Sequence, residues 1–298
     1  MKIENKGIAF ALLANFCWAT LGVITRFLDT NVFSFLIFSN VLGILLYTIY
    51  YAVSKREFLL SQIVFNKKTV PFMITQSALG IFGFLALSDV TFPIGATTLI
   101  LSSIPLVIVF IAPLVIKEPF SPQNIFIAIL GMIGLILFLD IAGMIKHNSG
   151  ISLGMIFAFC AFATNAVNIF TMRTISIHYP DRLVPLFVSI GAIIFTPLMF
   201  FITDAIPFTD FSFNDVSLAV YTSTVGLLIP FIAIAKALNL ITVQAASIIG
   251  FSQIIIAGIL GFFFFGETFT PSQLLGACIV LGSLIILTLR KRPKVEAI

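Results

Sequence analysis

Ten long apolar stretches constrain the fold of this chain more than any other feature of its sequence. A helix that spans a bilayer needs about 20 mainly apolar residues, and it satisfies its backbone polar groups within one segment. Only 9% of the 298 residues are charged, against about 25% in soluble domains. The sequence therefore predicts an all-α integral membrane protein with ten transmembrane helices, at approximately 7–27, 32–53, 71–89, 95–116, 123–143, 150–172, 183–203, 216–236, 240–264 and 271–289.

The distribution of lysine and arginine predicts the orientation of these helices. If the N-terminus is cytoplasmic, all but Arg26 and Lys146 of the 16 basic residues fall on the inner side. The outer connection over 204–215 carries three aspartates and no base. Because cytoplasmic connections carry the excess of Lys and Arg, both termini are predicted to be cytoplasmic. We expect a multi-pass protein of the plasma membrane, such as a bacterial inner membrane.

A short phrase occurs twice, as KEPFSPQ at 117–123 and as GETFTPSQ at 266–273. Each half of the chain contains five predicted spans, an odd number, so the second half enters the membrane in the opposite direction. The sequence therefore predicts two inverted five-helix repeats, over 1–145 and 146–298, an architecture typical of transporters. Residues that recur at a nearly constant spacing are Glu118 and Glu267, Pro122 and Pro271, Gly134 and Gly282, Ala86-Leu87-Ser88 and Ala237-Leu238-Asn239, and Trp18-Ala19-Thr20 and Phe162-Ala163-Thr164.

The two repeated glutamates have a structural and a functional interpretation. Glu118 and Glu267 each begin a connection that ends in Ser/Thr-Pro, which suits the start of the next helix. A carboxylate there can accept backbone N–H groups and complement the helix dipole. We interpret both as caps at opposite membrane faces, and proton coupling is the alternative.

Small and polar side chains form stripes at helical spacing in several spans. Each such residue can serve close helix packing, but amides are costly against lipid, so together they predict one shared cavity. Trp18 is the only tryptophan of the chain and lies near mid-span, either as packing or as the platform of a pocket. The predicted substrate-binding residues are Asn15, Trp18, Gln76, Ser102, Asn165, Asn168, Tyr221 and Gln253.

The positions of ionisable residues limit the chemistry of such a cavity. Asp89, Asp140 and Lys236 all lie near span ends, so no acid or base suits a proton relay at mid-membrane. Phosphate-bearing solutes usually require Lys or Arg in their pocket. The sequence therefore favours a neutral, zwitterionic or cationic metabolite, and the coupling proton or ion is left open.

Other classes of protein fit the sequence poorly. No predicted span contains a histidine or a pair of acids, which argues against an enzyme embedded in the membrane. The three cysteines show no metal-binding spacing, so we predict no metal and no cofactor. The bases lie between apolar runs rather than along a stripe, so no nucleic-acid partner is predicted. The expected partners are a small-molecule substrate and the lipid bilayer.

The chain resembles the EamA family of the drug/metabolite transporter superfamily over about 7–290. It departs from the family pattern at Asn40, where the family often has an arginine, and at Ile254, which replaces the proline found at position 105 of the first half. The features that carry the resemblance are Trp18-Ala19, Ala86-Leu87, Pro105, and the two glutamate phrases with a later glycine, Glu118 to Gly134 and Glu267 to Gly282.

The resemblance implies two five-helix units that carry a solute without ATP hydrolysis, often as exporters of amino acids or other metabolites. We therefore predict export of a small neutral, zwitterionic or cationic metabolite, such as an amino acid, by alternating access. A lipid-linked solute carrier or flippase of the same superfamily is the alternative.

Overall fold

The computed structural model describes residues 3–25, 27–53, 64–88, 100–101, 103–138, 152–203, 211–266 and 269–289. All regular secondary structure in these ranges is helical, as predicted. The helices are α1 (Ile3–Thr25), α2 (Val32–Val53), α3 (Thr69–Ser88), α4 (Ile104–Val115), α5 (Pro122–Phe138), α6 (Leu153–His178), α7 (Val184–Phe195), α8 (Leu198–Thr203), α9 (Phe213–Tyr221), α10 (Ile229–Leu240), α11 (Val243–Ile249), α12 (Phe251–Phe265) and α13 (Pro271–Leu289).

Four helical stretches in the described ranges are long and apolar enough to cross a membrane, namely Leu153–His178, Asp181–Phe201, Phe213–Leu240 and Val243–Phe264. Shorter apolar helices accompany them, and every predicted span overlaps at least one helix. The all-α membrane class is confirmed, whereas the count of ten spans and the cytoplasmic position of both termini stay predictions. Residues 26, 89, 95–99, 102, 139–143 and 150–151 of the predicted spans lie outside the described residues.

Four prolines well inside the predicted spans lie either at helix boundaries or within continuous helical stretches. Pro105 occupies the first turn of α4, where a missing N–H leaves no helical bond unmade. Pro230 occupies the first turn of α10, directly after a π-helix and within a continuous helical stretch. Pro197 lies in the turn between α7 and α8. Pro113 lies inside α4, near its end. A proline cannot donate to the carbonyl four residues before it, so a boundary is the less costly outcome.

The predicted span at 216–236 is one continuous helical stretch that contains a π-helix at Thr222–Leu228. Its last turn closes with the Ile229 N–H donating to the Thr224 carbonyl, five residues back. Pro230 follows and has no N–H to offer the Gly226 carbonyl. Such wider turns occur frequently at functional sites.

The two halves of the chain pack against each other in a symmetric pattern. The third span of each half contacts the first span of the other, as α3 with α6 and α10 with α1. Equivalent spans also pair with each other, as α5 with α13, α2 with α7 and α4 with α11. A two-fold relation between the halves would produce this set of pairs.

The α5–α13 pair meets at glycines. A Cβ atom at Gly276 would lie 2.5 Å from the Gly134 carbonyl oxygen and would overlap the backbone nitrogen of Phe138. Gly282, which the repeat pairs with Gly134, has no atom within 4 Å of such a Cβ. The close approach of these helices therefore depends on Gly134 and Gly276.

Large apolar side chains cover the outside of the described helices. Leu114, Phe201 and Phe263 are 82%, 85% and 74% exposed, respectively. A water-facing surface rarely carries a contiguous cover of this kind, whereas the hydrocarbon of a bilayer favours it.

Candidate functional site

A central cavity of about 440 Å³ lies between helices of both halves. Its lining comes from α1, α3, α4, α6, α10, α11 and α12, together with Leu101. Pro105 and its repeat partner Ile254 both line it. Six of the eight residues predicted for the site are also in its wall, namely Asn15, Trp18, Gln76, Asn165, Asn168 and Gln253.

A polar network between α3 and α6 forms one side of this cavity. The Asn168 Nδ2 atom donates to Gln76 Oε1 over 2.9 Å. The Thr75 hydroxyl donates to Asn168 Oδ1 at 3.0 Å and lies 3.0 Å from the Thr171 hydroxyl. Asn168 is only 7% exposed, and both ends of its amide are engaged by protein. Its geometry therefore suits orienting Gln76 rather than contacting a solute directly.

Two amides of the central cavity are not engaged in this way. Across the described part of the chain, neither the Asn165 nor the Gln253 side chain has a protein hydrogen-bond partner. Asn15 is intermediate, because its Nδ2 atom donates to the Ala11 carbonyl at 2.8 Å while its Oδ1 atom points towards Gly250. Asn165, Gln253 and Asn15 Oδ1 are thus the groups available to hydrogen bond a bound solute.

Trp18 lies on a wall that the central cavity shares with another. A second cavity, of about 290 Å³, is lined by Trp18, Gln76 and Phe231 as well. The Trp18 and Phe231 rings meet edge to face with centroids 5.4 Å apart. Trp18 therefore packs against Phe231 and also lines both cavities, so both alternatives given for it apply. Phe231 was not predicted, and its position directly after Pro230 was the only local signal.

The other two predicted site residues are not part of this wall. The Tyr221 hydroxyl donates to Thr20 Oγ1 at 3.0 Å, and Tyr221 lines neither the central nor the second cavity. Ser102 lies outside the described residues.

Glu118 caps a helix, but not the helix that follows it in the sequence. Its Oε1 atom accepts from the Val243 N–H at 2.6 Å and its Oε2 atom from the Gln244 N–H at 3.3 Å. These are the first two residues of α11, in the other half of the chain. Ser121 instead caps the following helix, by accepting the Asn124 N–H at 3.2 Å. The carboxylate therefore joins the two repeats rather than starting α5.

Arg173 completes this junction at the break between α10 and α11. Its Nη1 atom donates to the Ile241 carbonyl at 3.2 Å, and its charge favours the ionised form of Glu118. Burial has the larger effect, and it raises the pKa of Glu118 above its ordinary value despite the two backbone N–H donors and Arg173. The pair fixes α11, which supplies Ala246 and Ser247 to the central cavity.

The second copy of the repeated phrase is described only in part, because Glu267 lies outside the described residues. Its Thr-Pro segment starts α13 with a reciprocal cap. Thr270 Oγ1 accepts the Gln273 N–H at 3.3 Å, and Gln273 Oε1 accepts the Thr270 N–H at 2.9 Å. The predicted helix start after this phrase is confirmed.

Asp215 is a buried acid with a structural role, although the sequence indicated it only as part of an acidic outer connection. It is 0% exposed, forms a capping box with Ser212, and accepts the Asp29 N–H at 3.1 Å. It therefore ties the α1–α2 connection to the start of α9. The Ser-x-x-Asp spacing was the available signal.

The apolar helices and the polar cavity between two repeats define a multi-pass integral membrane protein of the transporter class. The chain belongs to the EamA-like transporter family, whose sequence profile matches residues 5–140 and 152–289. An uncharacterized transporter from Archaeoglobus fulgidus is 24% identical over 220 residues, which cover 71% of this chain and 75% of that protein. One solved crystal structure is similar with a TM-score of 0.74, at 15% sequence identity, over 96% of this chain and 97% of the other. That similarity shows the fold alone.

Proposed function

We propose that this transporter exports a small neutral, zwitterionic or cationic metabolite, such as an amino acid, by alternating access. The observation that carries the proposal is the central cavity with its unengaged amides, Asn165 and Gln253. No described residue of its lining is charged. An amide offers both a donor and an acceptor, so it can bind ammonium, carboxylate or hydroxyl groups without requiring a fixed charge.

The size and composition of the cavity suit this class of solute. About 440 Å³ lies within the usual range of small-molecule sites, about 300–1,000 Å³. Leu79, Ile169 and Ile234 supply apolar wall, while the amides lie on α1, α6 and α12. A phosphate ester would find no Lys or Arg among the described lining residues, which weakens any role as its carrier.

The contact between Trp18 and Phe231 supports alternating access. These rings lie on the wall between the central and second cavities, on α1 and α10, which pack together as helices of different repeats. Movement of one repeat against the other would separate the rings and join the two cavities. The symmetric pairing of the halves supports such rocking of inverted repeats.

The proposal is tested by transport into proteoliposomes, with the substrate first selected from a metabolite panel by thermal stabilisation of the purified protein. Trp18→Ala and Asn165→Ala should each lower the transport rate at least about tenfold, with protein abundance unchanged. Matched controls are Phe16→Ala and Val167→Ala, because these side chains are about half exposed on the same helices. Wild-type rates in both cavity variants would remove the main support for the central site. Stabilisation by lipid-linked solutes alone would favour the flippase alternative.

Reporter fusions test the proposed orientation. A fusion after Pro293 should read cytoplasmic, and one within 204–215 should read external, because the basic residues concentrate on the inner side.

In a background without native cysteines, an impermeant thiol reagent added outside should label a cysteine at position 268 but not at position 117. The reverse pattern would overturn the orientation, and labelling of both from one side would overturn the inverted repeat.

A further inference from the structure

Two amides of the central cavity are fixed in orientation by hydrogen bonds within the protein. They are Asn15 on α1 and Gln76 on α3, and both line the cavity. A primary amide has a donor end and an acceptor end, so a bond that engages one end leaves the other for a solute. Asn15 and Gln76 are engaged at opposite ends, which gives the wall of the cavity a defined polarity.

Asn15 presents its acceptor. Its Nδ2 atom donates to the Ala11 carbonyl at 2.8 Å. Because a backbone carbonyl only accepts hydrogen bonds, the bonded end of the amide is the donor and Oδ1 is the free end. Within the described residues Oδ1 has no protein partner, and it is not one of the fully buried atoms that lack one. Oδ1 therefore keeps accessible surface, although Asn15 as a whole is only 4% exposed.

Gln76 presents its donor. Its Oε1 atom accepts from Asn168 Nδ2 at 2.9 Å, and its Nε2 atom has no protein partner in the described part of the chain. Nε2 is also not one of the fully buried, unpaired atoms, so it is accessible. Gln76 lines both the central and the second cavity, so this surface faces cavity space. Gln76 Nε2 adds a donor to the groups already described for the central cavity.

Thr75 sets the orientation of these amides. Its hydroxyl has one hydrogen, which it donates to Asn168 Oδ1 at 3.0 Å, whereas the Phe72 carbonyl of its own helix lies further away at 3.2 Å. With Oδ1 engaged in this way, Asn168 offers Nδ2 to Gln76. The opposite orientation would have Asn168 Nδ2 donating to Thr75, and it would present Gln76 Oε1 to the cavity instead.

We propose that Gln76 Nε2 binds an acceptor group of the solute and that Asn15 Oδ1 binds a donor group. Thr75 and Asn168 act as positioning residues, because they hold the Gln76 amide in the orientation that this requires. The proposal rests on the central cavity being the solute site of the proposed function, and it narrows the class of solute. The solute carries an acceptor, such as a carboxylate or carbonyl, together with a donor, such as an ammonium or hydroxyl group. A solute with donors alone would leave Gln76 Nε2 without a partner, which lowers affinity.

Two probes with one carbon skeleton test this polarity, namely 4-methylpentanoate and 4-methylpentylammonium. Purified full-length protein in detergent is titrated with each probe at neutral pH, where the first is an anion and the second a cation. Trp18 fluorescence reports binding, because Trp18 is the only tryptophan of the chain and lines the central cavity. The measured quantity is the Kd of the carboxylate probe divided by the Kd of the ammonium probe. This ratio can be measured without transport.

Thr75→Val should raise this ratio about fivefold, as expected for one lost hydrogen bond. Asn168 Oδ1 would lose its donor, so the two amides could turn and present Gln76 Oε1 to the cavity. Gln76→Met should raise the ratio by a similar factor, whereas Asn15→Leu should lower it about fivefold because the acceptor for ammonium is removed. Thr75→Ser retains the hydroxyl and should restore the wild-type ratio. A purely structural role of Thr75 would change the Kd of both probes alike and leave the ratio constant.

Phe16→Ala is the matched control on α1, because the Phe16 side chain is about half exposed and does not line the cavity. Its ratio should equal that of the wild type. The proposal is overturned if Thr75→Val and Gln76→Met leave the ratio unchanged, or if they lower it, since Gln76 would then present Oε1. It is also overturned if neither probe gives a saturable change.

Failure of this proposal and failure of the proposed function give different results. If both probes bind and both lose affinity in Asn165→Ala while the ratio is constant in every variant, the polarity is wrong and the central solute site stands. If the ratio changes as expected while Trp18→Ala and Asn165→Ala transport at the wild-type rate in proteoliposomes, the polarity stands and the central cavity is not the transport site.

Discussion

Gly276→Ala is expected to lower the free energy of unfolding by about 3 kcal/mol, the upper range for overpacking a tight interface. The added methyl group would meet the backbone of α5 at Gly134 and Phe138, which cannot turn aside as a flexible side chain would. The two helices would have to separate along their length. Unfolding of the purified protein by heat or denaturant, in one detergent, measures the effect.

Gly282→Ala is the matched control on the same helix. Its new Cβ atom would have no neighbour within 4 Å. Alanine favours a helix over glycine by up to about 1 kcal/mol, so this variant should be neutral or slightly more stable. Equal losses in both variants would contradict the close contact between α5 and α13.

The sequence predicted the composition of the central cavity well, because helical periodicity determines which residues share a face. Asn165 and Asn168 both lie on the polar stripe of α6, and Gln253 lies on that of α12. Amides avoid lipid, so the stripes of neighbouring helices had to meet. The role of each amide was not predictable, because it depends on partners from another helix, as Gln76 has in Asn168.

Tyr221 shows the limit of this approach. A stripe identifies the face of a helix but not the depth at which a cavity lies, and Tyr221 bonds to Thr20 away from both cavities. The π-helix that begins one residue later was equally hidden, since its cause is Pro230, several residues further along.

The second cavity was not predicted at all. Among its lining residues, the sequence singles out Asn40 only as a departure from the family pattern, and it does not single out Ser77 or Thr222. A serine or threonine within a span commonly bonds to its own helix backbone, as Thr48 does to the Ile44 carbonyl at 2.8 Å. Ser77 and Thr222 make no such bond, and nothing in the sequence distinguishes them from serines and threonines that do.

Glu118→Ala is expected to lower the free energy of unfolding by about 2–4 kcal/mol. It would leave the buried Val243 and Gln244 N–H groups without their acceptor, which costs the desolvation of each donor, and it would remove the negative charge that acts on Arg173. Gln123→Ala is the control, since Gln123 is exposed nearby. Thermal unfolding in detergent measures both, and equal stability of the two variants would refute the junction between the repeats.

Glu118→Gln separates the charge of this side chain from its hydrogen bonds. Burial raises the pKa of Glu118 above its ordinary value of 4.5. At pH values between 4.5 and the raised pKa, the folded protein therefore holds a proton that the unfolded chain releases. The contribution of this proton to stability is complete below about pH 4.5 and is lost as the pH rises through the raised pKa.

Glutamine has no such titration. The melting temperature of the wild type, measured relative to Glu118→Gln, should therefore fall as the pH rises above 4.5. A relative melting temperature that rises instead would mean that Arg173 and the backbone N–H groups outweigh burial. Transport by Glu118→Gln should persist, because Glu118 bonds to the start of α11 and does not line the central cavity, so it has no contact with a solute there. A folded Glu118→Gln protein whose transport no longer depends on pH would instead make this glutamate a proton-coupling residue.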